Sequence, residues 1–298
     1  MKIITTGGRG FIGSHFIEAC LKNKHTVLDI DFMGYCSNHS LPFDNDPNYK
    51  HLNTDICVIK NIPTCDVIVN FAAETHVDNS INDTKPFVHS NILGVHNLLE
   101  ICRGKPEYER PLFFQISTDE VYGDRPDGEF KESDVLKPSN PYSATKVAAE
   151  ALVLAYNRTY GIDYIITRSS NNYGERQYEE KLIPKTIKCI QDGKKIPIHG
   201  DGSYVRDWIY VKDNADAILF LIEKNIKNQI FNIGSGNRIE NINVVKNILD
   251  WYNADYESNI QFVPNRWGQD LRYALNTDKI NNMGWKPKHP KGIYKWFQ

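Results

Sequence analysis

Short apolar runs alternate with longer stretches of helical periodicity along the first half of the chain. Strands are predicted by the apolar runs at residues 2–8, 25–31, 66–73, 111–117 and 163–171. Helices are predicted at residues 11–23, 88–104 and 142–161, where apolar residues recur at helical spacing. Strands that alternate with helices form a parallel sheet with helices on both faces. The pattern therefore predicts an α/β fold with a doubly wound parallel sheet.

The pattern becomes irregular beyond about residue 170. Turn-rich pieces at residues 199–211 and 231–238 lie between helical stretches there. We expect residues 1–170 to form the main domain. Residues 171–298 are expected to form mainly a smaller α/β region over the substrate, with a chain that can cross back to the main domain. The polar stretch 39–62 has little periodicity, so it does not locate the third strand of the sheet.

The composition argues against several classes of partner. The 298 residues are 41% hydrophobic and carry a formal net charge of −2, so neither a nucleic acid nor a membrane surface is an expected partner. No apolar stretch approaches the roughly 18 residues of a membrane span, and the glycine-rich start lacks the pattern of a signal peptide. The six cysteines are scattered with no CxxC pair, which favours reduced thiols and a cytoplasmic location over a disulfide framework.

Three glycines connect the first predicted strand to the first predicted helix. Gly7, Gly10 and Gly13 have the spacing G-x-x-G-x-x-G, which lets the backbone and the helix N-terminus approach a pyrophosphate. Similar turns also join strands to helices without any ligand. An acidic residue is expected at the end of the second strand to meet the adenosine ribose, and Asp31 lies there, with Asp29 as the competing candidate. An acid at this point favours NAD, because it would repel the 2′-phosphate of NADP.

Tyr142 and Lys146 are four residues apart and therefore share one face of the third predicted helix. Pro141 suits the first helical turn, and Ser139 or Asn140 is available as the N-cap. A free tyrosine has a pKa of about 10, so it needs a neighbouring cation and a nicotinamide ring to act as a base at neutral pH. An amphipathic helix with one exposed tyrosine and one lysine would have the same spacing.

Two adjacent carboxylates, Asp119 and Glu120, follow the buried strand that is predicted at residues 111–117. Ligands of α/β proteins bind at the carboxyl edge of the sheet, where these two residues are expected to lie. The alternative is a helix N-terminus, which favours acidic residues for electrostatic reasons alone.

Together, these features resemble the extended short-chain dehydrogenase/reductase family. The resemblance rests on the segments TGGRGFIG (6–13) and NFAAETHVD (70–78), on Asp31, on the strand end at Ser117 and Thr118, and on Tyr142 with Lys146. Within that family, the segments STDEVYG (117–123), SNNYGERQYEEKLIP (170–184) and VRDWIYV (205–211) resemble the nucleoside-diphosphate-glucose 4,6-dehydratases. The acid pair is the most specific element, because the family's epimerases and decarboxylases usually lack it.

The resemblance implies a Rossmann-type domain with bound NAD and a dehydration of a glucose nucleotide. A base must remove the C5 proton while an acid protonates the departing C6 hydroxyl, which requires neighbouring carboxyl groups with different protonation states. By resemblance, Glu120 is that base and Asp119 is that acid. Thr118 would hydrogen-bond the C4 oxygen, Tyr142 would remove the C4 hydroxyl proton, and Lys146 would tune Tyr142 and hold the nicotinamide ribose.

The resemblance also implies a set of binding residues. Those expected at the cofactor are Gly7, Gly10, Phe11, Ile12, Gly13, Asp31, Asp55, Ile56, Ala72, Ala73, Tyr142 and Lys146. Those expected at the nucleotide sugar are Thr75, Asn91, Asn171, Asn172, Lys181, Leu182, Arg206, Asn241 and Arg266. The two arginines would hold the diphosphate, although an arginine taken alone more often forms a surface salt bridge. No metal is expected, and a homodimer that pairs two helices per subunit is implied.

The chain departs from the family pattern near its C-terminal end and after the third strand. Trp267 and Gln269 replace the usual proline and histidine, which changes the contacts expected to the nucleotide. The segment 55–66 is shorter than in the family, so the helix after the third strand is expected to be reduced or absent. By its resemblance to the dTDP-glucose enzymes of that family, the chain is expected to use dTDP-glucose as its substrate. The alternatives are UDP-glucose, a nucleotide-sugar 4-epimerase activity and a non-catalytic NAD-binding regulator.

Overall fold

The computed structural model describes residues 1–265 and 267–293, and these form one seven-stranded sheet and two smaller sheets. The strands are β1 (Lys2–Thr6), β2 (Thr26–Ile30), β3 (Tyr49–Leu52), β4 (Val67–Asn70), β5 (Leu112–Thr118), β6 (Tyr164–Ser169), β7 (Asn171–Tyr173), β8 (Ile196–His199), β9 (Val205–Tyr210), β10 (Gln229–Ile233), β11 (Arg238–Glu240) and β12 (Ile260–Val263). The helices are α1 (Phe11–Lys22), α2 (Val77–Asn82), α3 (Lys85–Val88), α4 (Gly94–Arg103), α5 (Pro141–Tyr160), α6 (Leu182–Gln191), α7 (Val211–Glu223), α8 (Asn241–Trp251), α9 (Tyr256–Asn259) and α10 (Asp278–Asn282). A π-helical turn at His89–Leu93 joins α3 to α4, and a 3-10 turn at Asp119–Tyr122 follows β5.

The strands of the main sheet are all parallel and lie in the order β10-β6-β5-β4-β1-β2-β3. This is the Rossmann-type order, in which the winding direction reverses between β1 and β4. Every residue of β4 and β5 is buried, as expected for central strands covered on both faces. The doubly wound parallel sheet predicted from the sequence is therefore confirmed.

Helices cover both faces of the main sheet and bury a separate apolar core on each. On one face α1 and α7 contribute the fully buried Phe16 and Ile218. On the other face α4 and α5 contribute the fully buried Leu98 and Val153. Because α7 and β10 follow residue 170, the chain crosses back and completes the main sheet. No helix within the described residues is long and apolar enough to cross a membrane.

Helix α5 begins and ends at local sequence signals. Asn140 is its N-cap, because the Asn140 side-chain oxygen accepts a hydrogen bond from the Ser143 N–H at 2.9 Å. Pro141 occupies the first helical position, where its missing N–H has no cost. Gly161 ends the helix in the left-handed region with φ +69°. The helix therefore lies within one residue of the predicted range 142–161.

The third strand of the sheet is β3, which lies at the sheet edge. Only Tyr49 of its four residues is buried, so its side chains leave little hydrophobic periodicity in the sequence. In the described chain no helix lies between β3 and β4, which confirms the prediction for the shortened segment 55–66. The Asn97 side chain in α4 instead donates to the carbonyl oxygens of Ile56 and Ile59 at 2.7 and 2.9 Å.

The remaining strands form a smaller region beside the carboxyl ends of the main sheet. There β9 pairs in parallel with β7 and antiparallel with β11, while β12 pairs in parallel with β8. Helices α6 and α8 pack together over these strands, around the buried Trp208 and Ile248. This region forms one side of a cleft whose other side is the main sheet.

Candidate active site

A cavity of about 300 Å³ opens at the carboxyl ends of the parallel strands. Strands β1, β4, β5 and β6 end at it, and the loops that follow them form its walls. The residues expected from the sequence that line it are Gly7, Gly10, Phe11, Ile12, Gly13, Asp31, Asp55, Ile56, Ala72, Ala73, Thr75, Thr118, Asp119, Glu120, Tyr142, Lys146, Asn171, Asn172 and Lys181. The fold thus brings together residues that are far apart in the chain, at the edge where α/β proteins bind ligands.

The turn between β1 and α1 has the shape of a diphosphate cradle. Gly7 has φ +69°, and a Cβ on it would lie 2.6 Å from the backbone nitrogen of Ala72. A Cβ on Gly13 would lie 2.6 Å from the Gly7 carbonyl oxygen. Gly10 precedes α1, and no side chain caps this helix. The first N–H groups of α1 therefore start at the cavity wall in the manner of an anion site.

The two candidates for the ribose-binding acid, Asp29 in β2 and Asp31 directly after it, have different surroundings. Asp29 is fully buried behind the glycine turn and accepts hydrogen bonds from the Thr5 hydroxyl at 3.0 Å and the Gly8 N–H at 2.9 Å. Burial, and then the charge of Asp31, raises the pKa of Asp29 to about 7. Asp31 lies on the cavity wall and accepts a hydrogen bond from the Arg9 N–H at 3.0 Å. Asp31 is thus the carboxylate that faces the cavity.

The acid pair combines a buried carboxyl with a more accessible one. Asp119 is 2% exposed, whereas Glu120 is half-buried. Burial, and then the charge of Glu120, raises the pKa of Asp119 well above its ordinary value. The Thr118 hydroxyl donates to one Asp119 oxygen at 3.2 Å, and the other oxygen is buried with no partner in the part of the chain that the structure describes. Asp119 therefore favours its protonated form, which can donate a proton into the cavity.

Tyr142 and Lys146 lie on the same face of α5, and both line the cavity. The Lys146 Nζ donates to the Ile116 carbonyl oxygen at 2.7 Å, and burial lowers the pKa of Lys146 to about 8. Burial, and then the charge of Glu120, raises the pKa of Tyr142, while a hydrogen bond with Thr118 lowers it. In the protein alone burial dominates the surroundings of the phenol, because Lys146 contacts the backbone of β5. The lower pKa expected from the sequence also requires the nicotinamide ring, and it stays a prediction.

Comparison with known proteins assigns this arrangement to a family. Residues 3–234 match the NAD dependent epimerase/dehydratase family. The chain belongs to this family. The glycine cradle and the Asp31 carboxylate on the cavity wall fit the cofactor that gives the family its name. NAD is thus the cofactor, as the sequence predicted.

Relatives in this family are similar along nearly the whole chain. The low-salt glycan biosynthesis protein Agl12 of Haloferax volcanii is 41% identical over 295 residues, which cover 97% of this chain and 94% of that protein. The trifunctional UDP-glucose 4,6-dehydratase/UDP-4-keto-6-deoxy-D-glucose 3,5-epimerase/UDP-4-keto-L-rhamnose-reductase RHM2 of Arabidopsis thaliana is 40% identical over 304 residues, which cover 96% of this chain and 45% of that protein. The crystal structure of DesIV, a dTDP-glucose 4,6-dehydratase of Streptomyces venezuelae with NAD bound, has a TM-score of 0.90 and 35% identity and covers 97% of this chain and 92% of that chain.

Asn140 links Glu120 to the helix that carries Tyr142, a contact that the sequence analysis did not assign. The Asn140 Nδ2 donates to Glu120 Oε2 at 3.3 Å while the Asn140 Oδ1 caps α5. One side chain therefore orients a carboxylate of the acid pair and the first turn of the helix together. The sequence marked Asn140 as a possible cap, but its contact with Glu120 spans 20 residues and depends on the fold.

Replacing Asn140 by Asp is expected to lower kcat about 10- to 100-fold, the effect of losing one hydrogen bond to a charged group. Asp is as good an N-cap as Asn, so α5 should remain intact while a second carboxylate faces Glu120. The measurements are kcat and the unfolding temperature. Asp255→Asn is the matched control, because Asp255 caps the short helix α9, where its side chain accepts from Ser258 N–H. An Asn140→Asp variant with unchanged kcat would contradict the positioning role.

Asn91 does not line the cavity, contrary to the role expected near the sugar. It is 1% exposed, and its side chain exchanges hydrogen bonds with the backbone of Glu74 at 2.8 and 3.0 Å. It also donates to the Thr145 hydroxyl at 2.9 Å. All its polar atoms are therefore engaged in joining the loop after β4 to α5, which supports the cavity wall from behind.

Arg206 also lies behind the cavity wall. Its guanidinium stacks 4.2 Å from the centre of the Tyr273 ring and donates to the carbonyl oxygens of Asp270 and Leu271. Its charge still acts on the acid pair, because it opposes the effects of burial and of Glu120 on the pKa of Asp119. Arg206 therefore holds residues 270 and 271 in place, and its positive charge lowers the pKa of Asp119 against the effect of burial.

Two further residues expected at the substrate, Leu182 and Asn241, are not in the described lining of the cavity. Leu182 begins α6 and packs against the apolar clusters of the smaller region. Asn241 begins α8, and its side-chain oxygen is buried with no partner among the described residues. Arg266 lies outside the described residues.

Two loops that approach each other at the rim of the cavity were not predicted from the sequence, and several wall residues, Ser117 among them, were assigned no role. The rings of Tyr35 and Tyr178 pack edge to face at 5.3 Å, and the Tyr35 hydroxyl lies 3.5 Å from Glu180. Loop residues have no periodicity, so only the fold reveals this contact. Ser117 also lines the cavity, and its hydroxyl is buried without a partner in the described chain. Its position beside Thr118 was the one available signal.

Proposed function

We propose that this chain catalyses the NAD-dependent conversion of dTDP-glucose to dTDP-4-keto-6-deoxyglucose. The observation that supports this most directly is the buried Asp119, with its raised pKa, beside Glu120 on the wall that Tyr142 shares. Epimerisation at C4 needs a base for one hydroxyl, whereas loss of water across C5 and C6 needs a base and an acid on adjacent carbons. DesIV, which bears the name of this activity, supports the same conclusion.

The first proton transfer takes place at C4. Tyr142 accepts the proton of the C4 hydroxyl, and Thr118, which is hydrogen-bonded to Tyr142, holds the C4 oxygen. When bound, NAD⁺ supplies a hydride acceptor for C4, a hydride donor for C6 and a positive ring that favours the Tyr142 phenolate. Lys146, on the same face of α5 as Tyr142, would hold the cofactor ribose and would favour the Tyr142 phenolate by its charge while it stays protonated. The ketone that results makes the C5 proton acidic.

The second step uses the two carboxyl groups in different protonation states. Glu120, held by Asn140, removes the C5 proton. Asp119 gives its proton to the C6 hydroxyl, which leaves as water. The raised pKa of Asp119 keeps that proton in place until the C6 oxygen becomes basic enough to accept it. Because burial raises the pKa of Asp119, that residue can act as the acid beside Glu120 as the base.

The nucleotide end of the substrate needs positive charge, which the chain supplies locally because its net charge is −2. Lys181 lies on the cavity wall with its Nζ 3.3 Å from the Thr75 carbonyl oxygen, and we assign it, with Arg266, to the diphosphate. Arg206, whose guanidinium bonds to backbone behind the wall, would act on the diphosphate through its charge alone. Asn171, Asn172 and Thr75 belong to the sugar end of the same proposal.

The proposal extends to a homodimer in the cytoplasm. Helices α4 and α5 would pair with their copies, as the family resemblance implies. Leu93, Leu154 and Tyr160 on or beside these helices are 51%, 38% and 39% exposed and would become buried. All six cysteines are free, as expected for a reducing compartment.

The direct test incubates the purified protein with dTDP-glucose and, separately, with UDP-glucose. We expect the dTDP sugar to lose one water by mass spectrometry and to give the alkali-induced absorbance of a 4-keto-6-deoxy product, with no net NADH. Faster conversion of UDP-glucose would select the alternative substrate that RHM2 uses by name. If neither sugar loses water while the protein holds NAD, the roles assigned to Asp119 and Glu120 are wrong.

A further inference from the structure

Three side chains of different ligand chemistry converge beside the cavity, and one of them, Asp55, is part of its wall. They are the carboxylate of Asp55, the thiol of Cys57 and the imidazole of His89, and their ligand atoms all lie within 4.8 Å of one another. We propose that these residues bind a divalent transition-metal ion, for which Zn²⁺ is the best match to a mixed sulfur, nitrogen and oxygen donor set. The site shares Asp55 with the residues expected at the cofactor, but it includes none of the residues assigned to the dehydration and does not depend on that activity.

The distances approach those of ligands around a single tetrahedral ion. The Cys57 Sγ lies 3.4 Å from the His89 Nδ1, and that nitrogen lies 3.9 Å from the Asp55 Oδ2. Zinc bonds of about 2.0 to 2.3 Å at tetrahedral angles separate neighbouring ligand atoms by roughly 3.3 to 3.6 Å. Small side-chain rotations would therefore complete three bonds. Such three-ligand sites keep the fourth position for water.

The geometry distinguishes a metal site from a catalytic thiol. In a Cys-His-Asp relay, the thiol contacts one imidazole nitrogen and the carboxylate contacts the other. Here the Cys57 sulfur and the Asp55 carboxylate both approach the same His89 nitrogen, Nδ1. A proton relay cannot run through one nitrogen, but one ion can lie between that nitrogen, the sulfur and the oxygen.

The ligands are held in place by contacts around them. The Asp55 Oδ1 accepts a hydrogen bond from the Cys57 N–H at 2.8 Å, which leaves Oδ2 directed towards His89. Asn97 anchors the intervening carbonyl of Ile56 at 2.7 Å. His89 is the first residue of the π-helical turn, a backbone irregularity that often occurs at functional sites. These restraints reduce the ordering that a bound ion would need to impose.

The site is open to solvent and borders the cavity at residues expected to contact the cofactor. The side chains of His89 and Asp55 are 53% and 35% exposed, so an ion can enter. Asp55 also lines the cavity together with Ile56. On binding, the Cys57 thiol, which now donates to the His89 carbonyl oxygen at 3.2 Å, releases its proton to solvent and the thiolate ligates the ion. A bound ion would fix the helix-free connection between β3 and β4.

The test titrates the purified protein, free of any affinity tag, with Zn²⁺ by calorimetry and with Co²⁺ by absorption spectroscopy. We expect one equivalent of either ion to bind, and Co²⁺ to give a thiolate charge-transfer band with the visible bands of a tetrahedral site. Cys57→Ser and His89→Gln should each weaken Zn²⁺ binding at least about 10- to 100-fold, and Cys57→Ser should abolish the thiolate band. Cys189→Ser and His96→Gln are matched controls that should change neither.

A second measurement separates lost ligation from misfolding. In EDTA the Cys57→Ser and His89→Gln variants should unfold at the wild-type temperature, because these side chains lie near the surface. Added Zn²⁺ should raise the unfolding temperature of the wild-type protein alone. The proposal is overturned if saturable one-to-one binding is absent, if no thiolate band forms, or if the variants bind as tightly as the wild type. None of these readouts uses turnover, so a negative result leaves the proposed dehydratase activity untouched.

Discussion

Replacing Asp119 by Asn is expected to slow the loss of water by about 10²- to 10⁴-fold, the range for removing a general acid. Asn has nearly the same shape, but its amide cannot protonate the leaving C6 hydroxyl. The C5 proton should still be removed, because Glu120 and Asn140 remain in contact. Replacing Glu120 by Gln should have a different result, since it removes the base and should stop proton loss at C5 as well.

The two variants are distinguished by running the reaction in D₂O with dTDP-glucose and measuring deuterium at C5 of the recovered sugar. Asp119→Asn should incorporate deuterium without losing water, whereas Glu120→Gln should do neither. Glu107→Gln, the same carboxylate-to-amide change at an exposed residue in the connection before β5, is the control and should match the wild type. Wild-type rates of water loss in Asp119→Asn, or C5 exchange in Glu120→Gln, would exclude the assigned roles.

Replacing Arg168 by Met is expected to destabilise the protein by about 3–5 kcal/mol, the range for breaking a buried ion pair. Arg168 and Glu150 are 3% and 1% exposed, and their side chains join β6 to α5 with a 2.7 Å contact. Arg168 also donates to the Tyr122 hydroxyl at 2.7 Å, at the end of the 3-10 turn that carries the acid pair. Without Arg168, the Glu150 carboxylate stays buried without its hydrogen-bonded ion-pair partner, and only the charge of Lys146 on the same helix still acts on it.

The measurement is the shift in the midpoint of urea unfolding relative to the wild type, which reports stability when the dependence of the unfolding free energy on urea (the m value) is unchanged. Lys22→Ala breaks the exposed pair of Lys22 with Glu18 and should cost no more than about 1 kcal/mol. The double variant Arg168→Met with Glu150→Leu should recover part of the lost stability, because no unpaired charge remains. A loss for Arg168→Met as small as that for Lys22→Ala would show that the buried pair contributes little.

Sequence patterns located the elements whose signals are local. The glycine turn and the apolar periodicity marked β1 and α1, and Asn140 and Pro141 marked the start of α5 within one residue. Strand β3 was not predicted, because it is an exposed edge strand with only one buried residue. Strand β10 was not predicted either. It pairs with β6, which lies some 60 residues earlier in the chain, and pairing over that distance leaves no local sequence pattern.

The sequence predicted which residues line the cavity where a motif directly follows a strand that ends at the carboxyl edge of the sheet. Thr118, Asp119 and Glu120 reach it because they directly follow β5. The direction of individual side chains was not predictable in the same way. Arg206 and Asn91 lie in matching motifs, yet their polar atoms bond to neighbouring backbone behind the wall. Side-chain direction depends on which backbone groups lack partners after folding, and motif spacing does not contain that information.

The chain's periodicity and residue spacing were enough to predict a doubly wound sheet, a glycine turn after its first strand and a tyrosine one helical turn from a lysine. The protonation chemistry required the folded molecule. Burial raises the pKa of Asp119 and Tyr142 and lowers that of Lys146, and each shift follows from how much water and which charges surround the group. The contact between Asp55, Cys57 and His89 likewise exists only because two distant segments meet. Periodicity is a property of neighbours along the chain, whereas desolvation and convergence are properties of neighbours in space.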